Sequence, residues 1–258
     1  LAIQFQLNLA LQIAVFGALC YLIPILASKN LPTDNGLHTE EEKAGNSEPV
    51  FSKIVIMLGL GIFGMTLAEG AANDWLTIGL VEDYKADHTT AGIAYAILIG
   101  SMTIVRFFGG SLTDRFGKAL TLQVTGVIGI LGLVLLISRI SIPAAWLGAL
   151  LWGVGVALAF PLFLSAAGEQ PNPARKVATV SAFGYTSFLV GPPLLGFVGQ
   201  AIGVVNMYWI ILLFIGLSVV VAGAATQGVT ARACGNGIGA AATCNQVVGG
   251  VAAQGVVG

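Results

Sequence analysis

The stretch Ala68-Glu69-Gly70-Ala71-Ala72-Asn73-Asp74-Trp75 holds the side chains best placed to do chemistry. Glu69 stands inside an apolar run, Ile54 to Leu80, about 16 residues or roughly 24 Å along a helix from Lys53. A charge that deep in a hydrocarbon layer costs about 2.5 to 3.5 kcal/mol on insertion scales, so it faces a cavity or a partner. A carboxyl group taken out of water binds a proton more readily. Glu69 is therefore read either as a proton site, which could also hold a substrate hydroxyl, or as a structural carboxylate bonded to a neighbouring helix. Asn73 is four residues on, on the same helix face, and could orient a ligand. Asp74 and Trp75 are expected near the outer interface, where Asp74 is more simply a solvated carboxylate.

Other polar groups interrupt the apolar runs. Tyr95, Tyr185, Thr186 and Ser187 would suit a hydroxylated substrate in a cavity, or would bond neighbouring helices. Arg106 is read as a charge partner that snorkels to the surface or pairs with Asp114, two turns away. Gly191-Pro192-Pro193 and Pro161 each predict a kink, because proline removes a backbone donor and clashes with the preceding turn. They are candidate hinges, with freed carbonyls lining a cavity, or static kinks. Gly126, Gly129 and Gly132 predict a close helix–helix contact. No His-Glu-x-x-His motif occurs, His38 and His88 both fall in loops, and the three cysteines show no metal spacing. No catalytic residue, metal site or cofactor is expected, and the chain is not read as an enzyme.

The elements that must carry these groups follow from composition. The 258 residues are 56% hydrophobic and 9% charged, with a mean hydropathy of +0.90. An ordinary soluble domain is about 25% charged, so a multi-pass membrane protein is implied. The net charge of −1 suggests no nucleic-acid partner. Seven apolar runs appear: Leu7–Ala27, Ile54–Leu80, Ala91–Phe108, Leu120–Ser138, Ala144–Ala167, Val177–Val198 and Met207–Ala225. At about 18 to 27 residues each they span about 27 to 40 Å as helices, enough to cross the bilayer core. None shows the alternating polarity of a membrane β-barrel. The expected fold is an all-α membrane bundle of about seven transmembrane helices.

Residues 28–53 are too polar to span and read as a connector. With that connector inside, Lys29, Lys43, Lys53, Arg106, Arg115, Lys118, Arg175, Lys176 and Arg232 fall on the inner side, against Lys85 and Arg139 outside. The leading run lacks the basic flank and cleavage site of a signal peptide. Because residue 1 is Leu, the chain is read as a piece of a longer protein. The tail, 226–258, has a single charge and no helical or strand period, and is expected to be structureless, as an out-of-frame extension would be.

Gly110-Ser111-Leu112-Thr113-Asp114-Arg115-Phe116-Gly117-Lys118 is the most specific segment. It reads as a short inside loop in which Gly110 allows a close helix approach, Asp114 caps the next helix, Gly117 turns, and Arg115 and Lys118 hold the inner side. It resembles the G-x-L-x-D-R-x-G-[KR] loop of the major facilitator superfamily, where the loop helps lock helices during alternating access. The stretch at residues 68–76, Leu151 to Leu162, and Phe188-Leu189-Val190-Gly191-Pro192-Pro193-Leu194-Leu195-Gly196 resemble, in order and spacing, the bacterial YbjJ-type inner-membrane transporters of that family. The resemblance covers residues 1 to about 225. It implies twelve helices in two halves, with residues 1–27 as the last helix of the first half, 28–53 as the central cytoplasmic loop, and 54–225 as the carboxy-terminal six helices. It further implies a secondary transporter of the bacterial inner membrane. A small solute, protons, the lipid bilayer and the missing amino-terminal half would be its partners. The related fucose and sugar permeases suggest a proton-coupled, sugar-like substrate. Drug or metabolite efflux, or an inactive fragment, are the alternatives.

Overall fold

A computed structural model describes residues 9–28 and 51–235. The chain divides into two units, 1–46 and 47–258. In the first, α1 (Leu9–Ser28) is a helix of 20 residues without a charge, and it occupies the first apolar run. The connector expected at 28–53 lies largely outside the described residues.

The second unit is an up-and-down bundle of α2 (Lys53–Glu82), α3 (His88–Phe116), α4 (Lys118–Ile137), α5 (Ile142–Val156), α6 (Ala159–Gly168), α7 (Pro173–Ile202) and α8 (Val204–Gly235). No strand occurs among the described residues. Six stretches in this unit are long and apolar enough to cross a membrane, with α5 and α6 counted together. They occupy the six runs expected after the connector.

Helix ends are set by local chemistry. The Ser52 hydroxyl accepts from Val55 N–H at the start of α2, and Ser141 accepts from Ala144 N–H at the start of α5. Asp87 caps α3, accepting from Thr89 and Thr90 N–H at 2.9 and 3.0 Å. Hydrogen bonds from Thr90 hold the Asp87 carboxyl below its usual range. Two single-residue turns, Gly117 at φ 79° and Gly203 at φ 90°, need a conformation that other residues rarely adopt.

In the core, α2 packs against α3, α6, α7 and α8, which makes it the central helix of the unit. It is 67% buried over its most apolar stretch, against 22% for α3, so α3 leaves most of its surface open. The glycines of α4 do what their spacing predicts. A Cβ on Gly132 would lie 2.5 Å from the Trp152 backbone nitrogen and 2.6 Å from the Gly148 carbonyl, and one on Gly129 would lie 3.1 Å from Gly155 Cα. The α4 and α5 backbones therefore touch along a seam with no room for side chains.

Several boundaries differ from the expectation. The run Ala144–Ala167 is two helices, broken at Ala157–Leu158, because Pro161 cannot donate to the carbonyl of Ala157 four residues earlier. By contrast, α7 runs unbroken through Pro192 and Pro193. The nine-residue inside loop is mostly helix, since α3 extends to Phe116 and only Gly117 separates it from α4. The last helix continues ten residues past Ala225, to Gly235. Residues 236–258 of the tail lie outside the described residues.

Candidate functional site

The site begins with two facing stripes. On α2, Glu69 and Asn73 are one turn apart. On α3, Tyr95 and Arg106 are 11 residues apart, about three turns and therefore nearly the same face. Measured from the Lys53 and Phe116 ends, Asn73 and Tyr95 sit at about 30 and 32 Å, and Glu69 and Arg106 at about 24 and 15 Å. The Tyr95 hydroxyl accordingly meets Asn73 Oδ1 at 3.2 Å. Helical side chains lean toward their own N-terminus. On these antiparallel helices Arg106 leans up toward Glu69, and Glu69 leans down toward Arg106. The Arg106 Nη2 donates to Glu69 Oε1 at 2.7 Å.

A third element completes the arrangement. Arg106 Nε donates to the carbonyl of Ala157 at 2.9 Å. That carbonyl is free because Pro161 has no N–H, so the break between α5 and α6 supplies an acceptor to the arginine. One guanidinium thus ties α2, α3 and the α5–α6 break together. The Glu69 side chain is 13% exposed and that of Arg106 is 46% exposed, so the arginine has an open side.

Arg106 is thus a charge partner, but of Glu69 and not of Asp114. The length of α3 produces the difference. It runs to Phe116, beyond the expected end at Phe108, which puts Arg106 ten residues from its end, well inside the span. Glu69 stays near the middle of α2, 16 residues from Lys53 and 13 from Glu82.

The remaining expected residues are more scattered. Asp74 is exposed and makes no hydrogen bond among the described residues. Tyr185 is 63% exposed and rests against Phe160 with ring centroids 5.9 Å apart. Thr186 bonds its own helix at Ala182, and buried Ser187 donates to the Phe63 carbonyl at 2.8 Å, so Ser187 ties α7 to α2. Gly191 packs against Leu67, with a Cβ there placed 2.6 Å from Leu67 Cδ1.

In the motif at 110–118, Gly117 makes the turn, but two expectations are corrected. Asp114 does not cap α4; it lies inside the last turn of α3, and the N-cap of α4 is Gly117, with no side-chain cap. Gly110 faces open space among the described residues, and the close contact is made by Gly109, against Leu158. Arg115 lies over the ring of Phe116, 5.4 Å from its centroid. Lys118 pairs with Glu169 and donates to Ser165 Oγ at 2.6 Å, which links the start of α4 to the end of α6.

A second polar cluster, unforeseen in the sequence, closes the opposite end. Asp83 accepts from Arg139 Nη2 at 3.2 Å and from Val205 N–H at 2.9 Å, while Arg139 also reaches Asn206 Oδ1 at 3.1 Å. Three chain connections are joined there. Beside it, Tyr84 donates to the Leu136 carbonyl, and burial raises its hydroxyl above the usual tyrosine range. No group of His, Cys, Asp and Glu suited to a metal ion occurs among the described residues.

Residues 8–194 match the sequence profile of the Major Facilitator Superfamily, most of the chain. The chain belongs to the major facilitator superfamily. It is similar to an uncharacterized MFS-type transporter of Yersinia pestis, 32% identical over 57% of this chain and 38% of that protein. It is also similar to an uncharacterized transporter of Sinorhizobium fredii, 29% identical over 65% of this chain and 45% of that protein. Membrane protein MosC of Rhizobium meliloti is 25% identical over 58% of this chain and 37% of its own length. The matched stretch thus spans less than half the length of each of these curated relatives. Among solved structures, the major facilitator transporter FucP, in the outward conformation, superposes with a TM-score of 0.66 at 16% identity, over 82% of this chain and 53% of that one. Fold and family are those of membrane transporters and not of an enzyme.

Proposed function

We infer that this chain is the carboxy-terminal six-helix domain of an alternating-access secondary transporter, residues 54–225, with residues 1–27 as the last helix of the preceding half and 28–53 as the central cytoplasmic loop. The protein sits in a bacterial inner membrane and moves a small, polar, hydroxylated, sugar-like solute with protons. The observation that carries this reading is the Glu69–Arg106 pair, a carboxylate and a guanidinium bonded at 2.7 Å in the middle of spanning helices. Charges at that depth are costly and mark ion and substrate pathways. Glu69 is the proton site. Arg106 offers the compensating charge that lets Glu69 ionise, and Asn73 and Tyr95, one turn further on, offer hydroxyl-binding groups. Gly117 and the Lys118–Glu169 contact hold the inner end, while Pro161 and the Gly191-Pro192-Pro193 turn are where helices bend during the cycle.

The test uses the complete open reading frame carrying this chain, reconstituted in vesicles. A solute screen run with and without an inward proton gradient should find gradient-driven uptake. Glu69→Gln should remove the gradient dependence. Proton coupling unchanged in that variant would refute the assignment.

A further inference from the structure

The open side of Arg106 points to the chemical class of the solute. We propose that the transported molecule carries a carboxylate, that Arg106 is its receptor, and that a proton on Glu69 releases Arg106 to receive it. The inference rests on reading this face as the solute site and adds the charge of the ligand.

Arg106 is held at two points, Nε on the Ala157 carbonyl and Nη2 on Glu69 Oε1. Its Nη1 makes no hydrogen bond among the described residues. A guanidinium fixed in this way presents the planar donor edge that matches a carboxylate with two parallel hydrogen bonds. The Glu69 carboxylate already occupies part of that edge, so the structure contains a carboxylate on Arg106 as the resident stand-in for the ligand.

Charge balance then ties the proton to the ligand. With Glu69 ionised, the pair is neutral and Arg106 is satisfied. Protonation of Glu69 leaves Arg106, 46% exposed, without its anionic partner and with its donor edge free for another carboxylate. A ligand carboxylate restores neutrality, so one proton and one monoanion enter together. No other charged side chain bonds to this pair among the described residues. Against Glu69 and Arg106, α3 adds Tyr95, and α7 adds Tyr185 with Arg175 and Lys176 confined to its first turn; α4 carries Lys118, paired with Glu169, α2 itself adds the exposed Asp74, and α5 and α6 contribute no charged side chain over residues 142–168. In α8, residues 204–224 carry one titratable group, Tyr208, whose hydroxyl donates to the Trp75 carbonyl. Asn73 and Tyr95, bonded to each other beyond Glu69, suit a hydroxyl carried on the same molecule. The ligand class is therefore a small hydroxylated monocarboxylate.

The sign of the pH effect follows. Binding requires protonated Glu69, so affinity is greater at low pH and falls as pH rises, by reciprocal linkage. The experiment measures the binding of hydroxy acids from glycolate to gluconate, and of the matching neutral polyols, to the complete purified protein by calorimetry at pH 5.5 and 7.5. At least one acid should bind, more than tenfold tighter at pH 5.5, with the polyols at least tenfold weaker. Glu69→Gln should bind that acid equally at both pH values. Arg106→Gln should lose it, and Arg106→Lys should keep part of the affinity, which guards against loss through misfolding. The proposal is overturned if no acid of the series binds, if the polyols bind as tightly, or if the pH dependence survives in Glu69→Gln. The two readings separate in vesicles. Proton-driven uptake of a neutral polyol, lost in Glu69→Gln, would keep the transporter assignment and remove the carboxylate. Acid binding with the expected pH pattern but without gradient-driven uptake would do the reverse.

Discussion

Replacing Pro161 by alanine should uncouple Arg106 from the α5–α6 break, and the size of the effect can be worked from the contacts. An interior proline costs a helix about 3 kcal/mol relative to alanine. Here the broken turn leaves the Ala157 carbonyl to Arg106 Nε at 2.9 Å, a hydrogen bond to a charged donor, worth about 1.5 to 3 kcal/mol. Pro161→Ala supplies a backbone N–H that competes for that carbonyl. Its gain in helix continuity and its loss of the arginine bond are of the same size, so net stability should move by no more than about 1.5 kcal/mol. The informative quantity is the coupling. In the wild-type background, Arg106→Gln strips the donor from the carbonyl of buried Ala157 and leaves Glu69 unpaired. In the Pro161→Ala background the carbonyl is already bonded within the helix. The penalty of Arg106→Gln should therefore shrink by about 1.5 to 3 kcal/mol. The assay is a double-mutant cycle on denaturant unfolding of the detergent-solubilised protein. Penalties that add to within about 0.5 kcal/mol would show that the proline and the arginine do not share the carbonyl.

Three further outcomes follow from the packing and the ends. Gly132→Ala should destabilise by about 1 to 3 kcal/mol, because its Cβ would meet the Trp152 and Gly148 backbones; Gly216→Ala, with open space around it among the described residues, should not destabilise and should gain up to about 1 kcal/mol from helix propensity in the same unfolding assay. Asp83→Ala should cost about 1 to 3 kcal/mol and make Val205 N–H exchange faster with deuterium, since it leaves that amide and Arg139 without their acceptor. The Asp87 cap holds its carboxyl below the usual range, so its contribution is present above the unfolded carboxylate pKa and is lost as pH falls through the lowered folded value; Asp87→Asn should cap α3 without that acid dependence, read as amide exchange at Thr89 and Thr90 across the acidic range.

The spans were legible because the information is local. Apolar runs bounded by charges translate into helices whatever their neighbours, and the six runs after the connector appear in order. Spacing also sufficed where the chemistry is one-dimensional. Glycines at 129 and 132 announce a seam with α5, Gly126 a close approach to Val219 of α8, and Gly117 a turn. Helix ends were less legible, because an apolar run stops at the first charge while a helix does not. Lys53, Arg115 and Glu82 are all accommodated inside helices, at positions that lie near their ends. That shift moved Arg106 deeper than its run implied, while Glu69 stayed near the middle of α2.

Partnership was harder to read, since it depends on register between helices far apart in sequence. Arg106 and Asp114 share a helix and are close along the chain, yet Asp114 is two turns toward the Phe116 end. Side chains on α3 lean toward the other end, so Arg106 points away from Asp114 and toward the helix that runs antiparallel beside it. Direction of lean, once α2 and α3 are known to be neighbours, selects Glu69. Pro161 adds the rest. A proline in a predicted span marks the carbonyl four residues earlier as an acceptor without its usual donor, and buried acceptors are rarely left unpaired. Looking from Pro161 to Ala157, and then for a donor in a neighbouring span, leads to Arg106, the one arginine inside an apolar stretch between residues 54 and 225 that is not beside a chain turn. The proline and the arginine are therefore better understood as one feature than as a separate hinge and charge. Bending the α5–α6 break changes the arginine's anchor, and moving the arginine changes what holds Glu69.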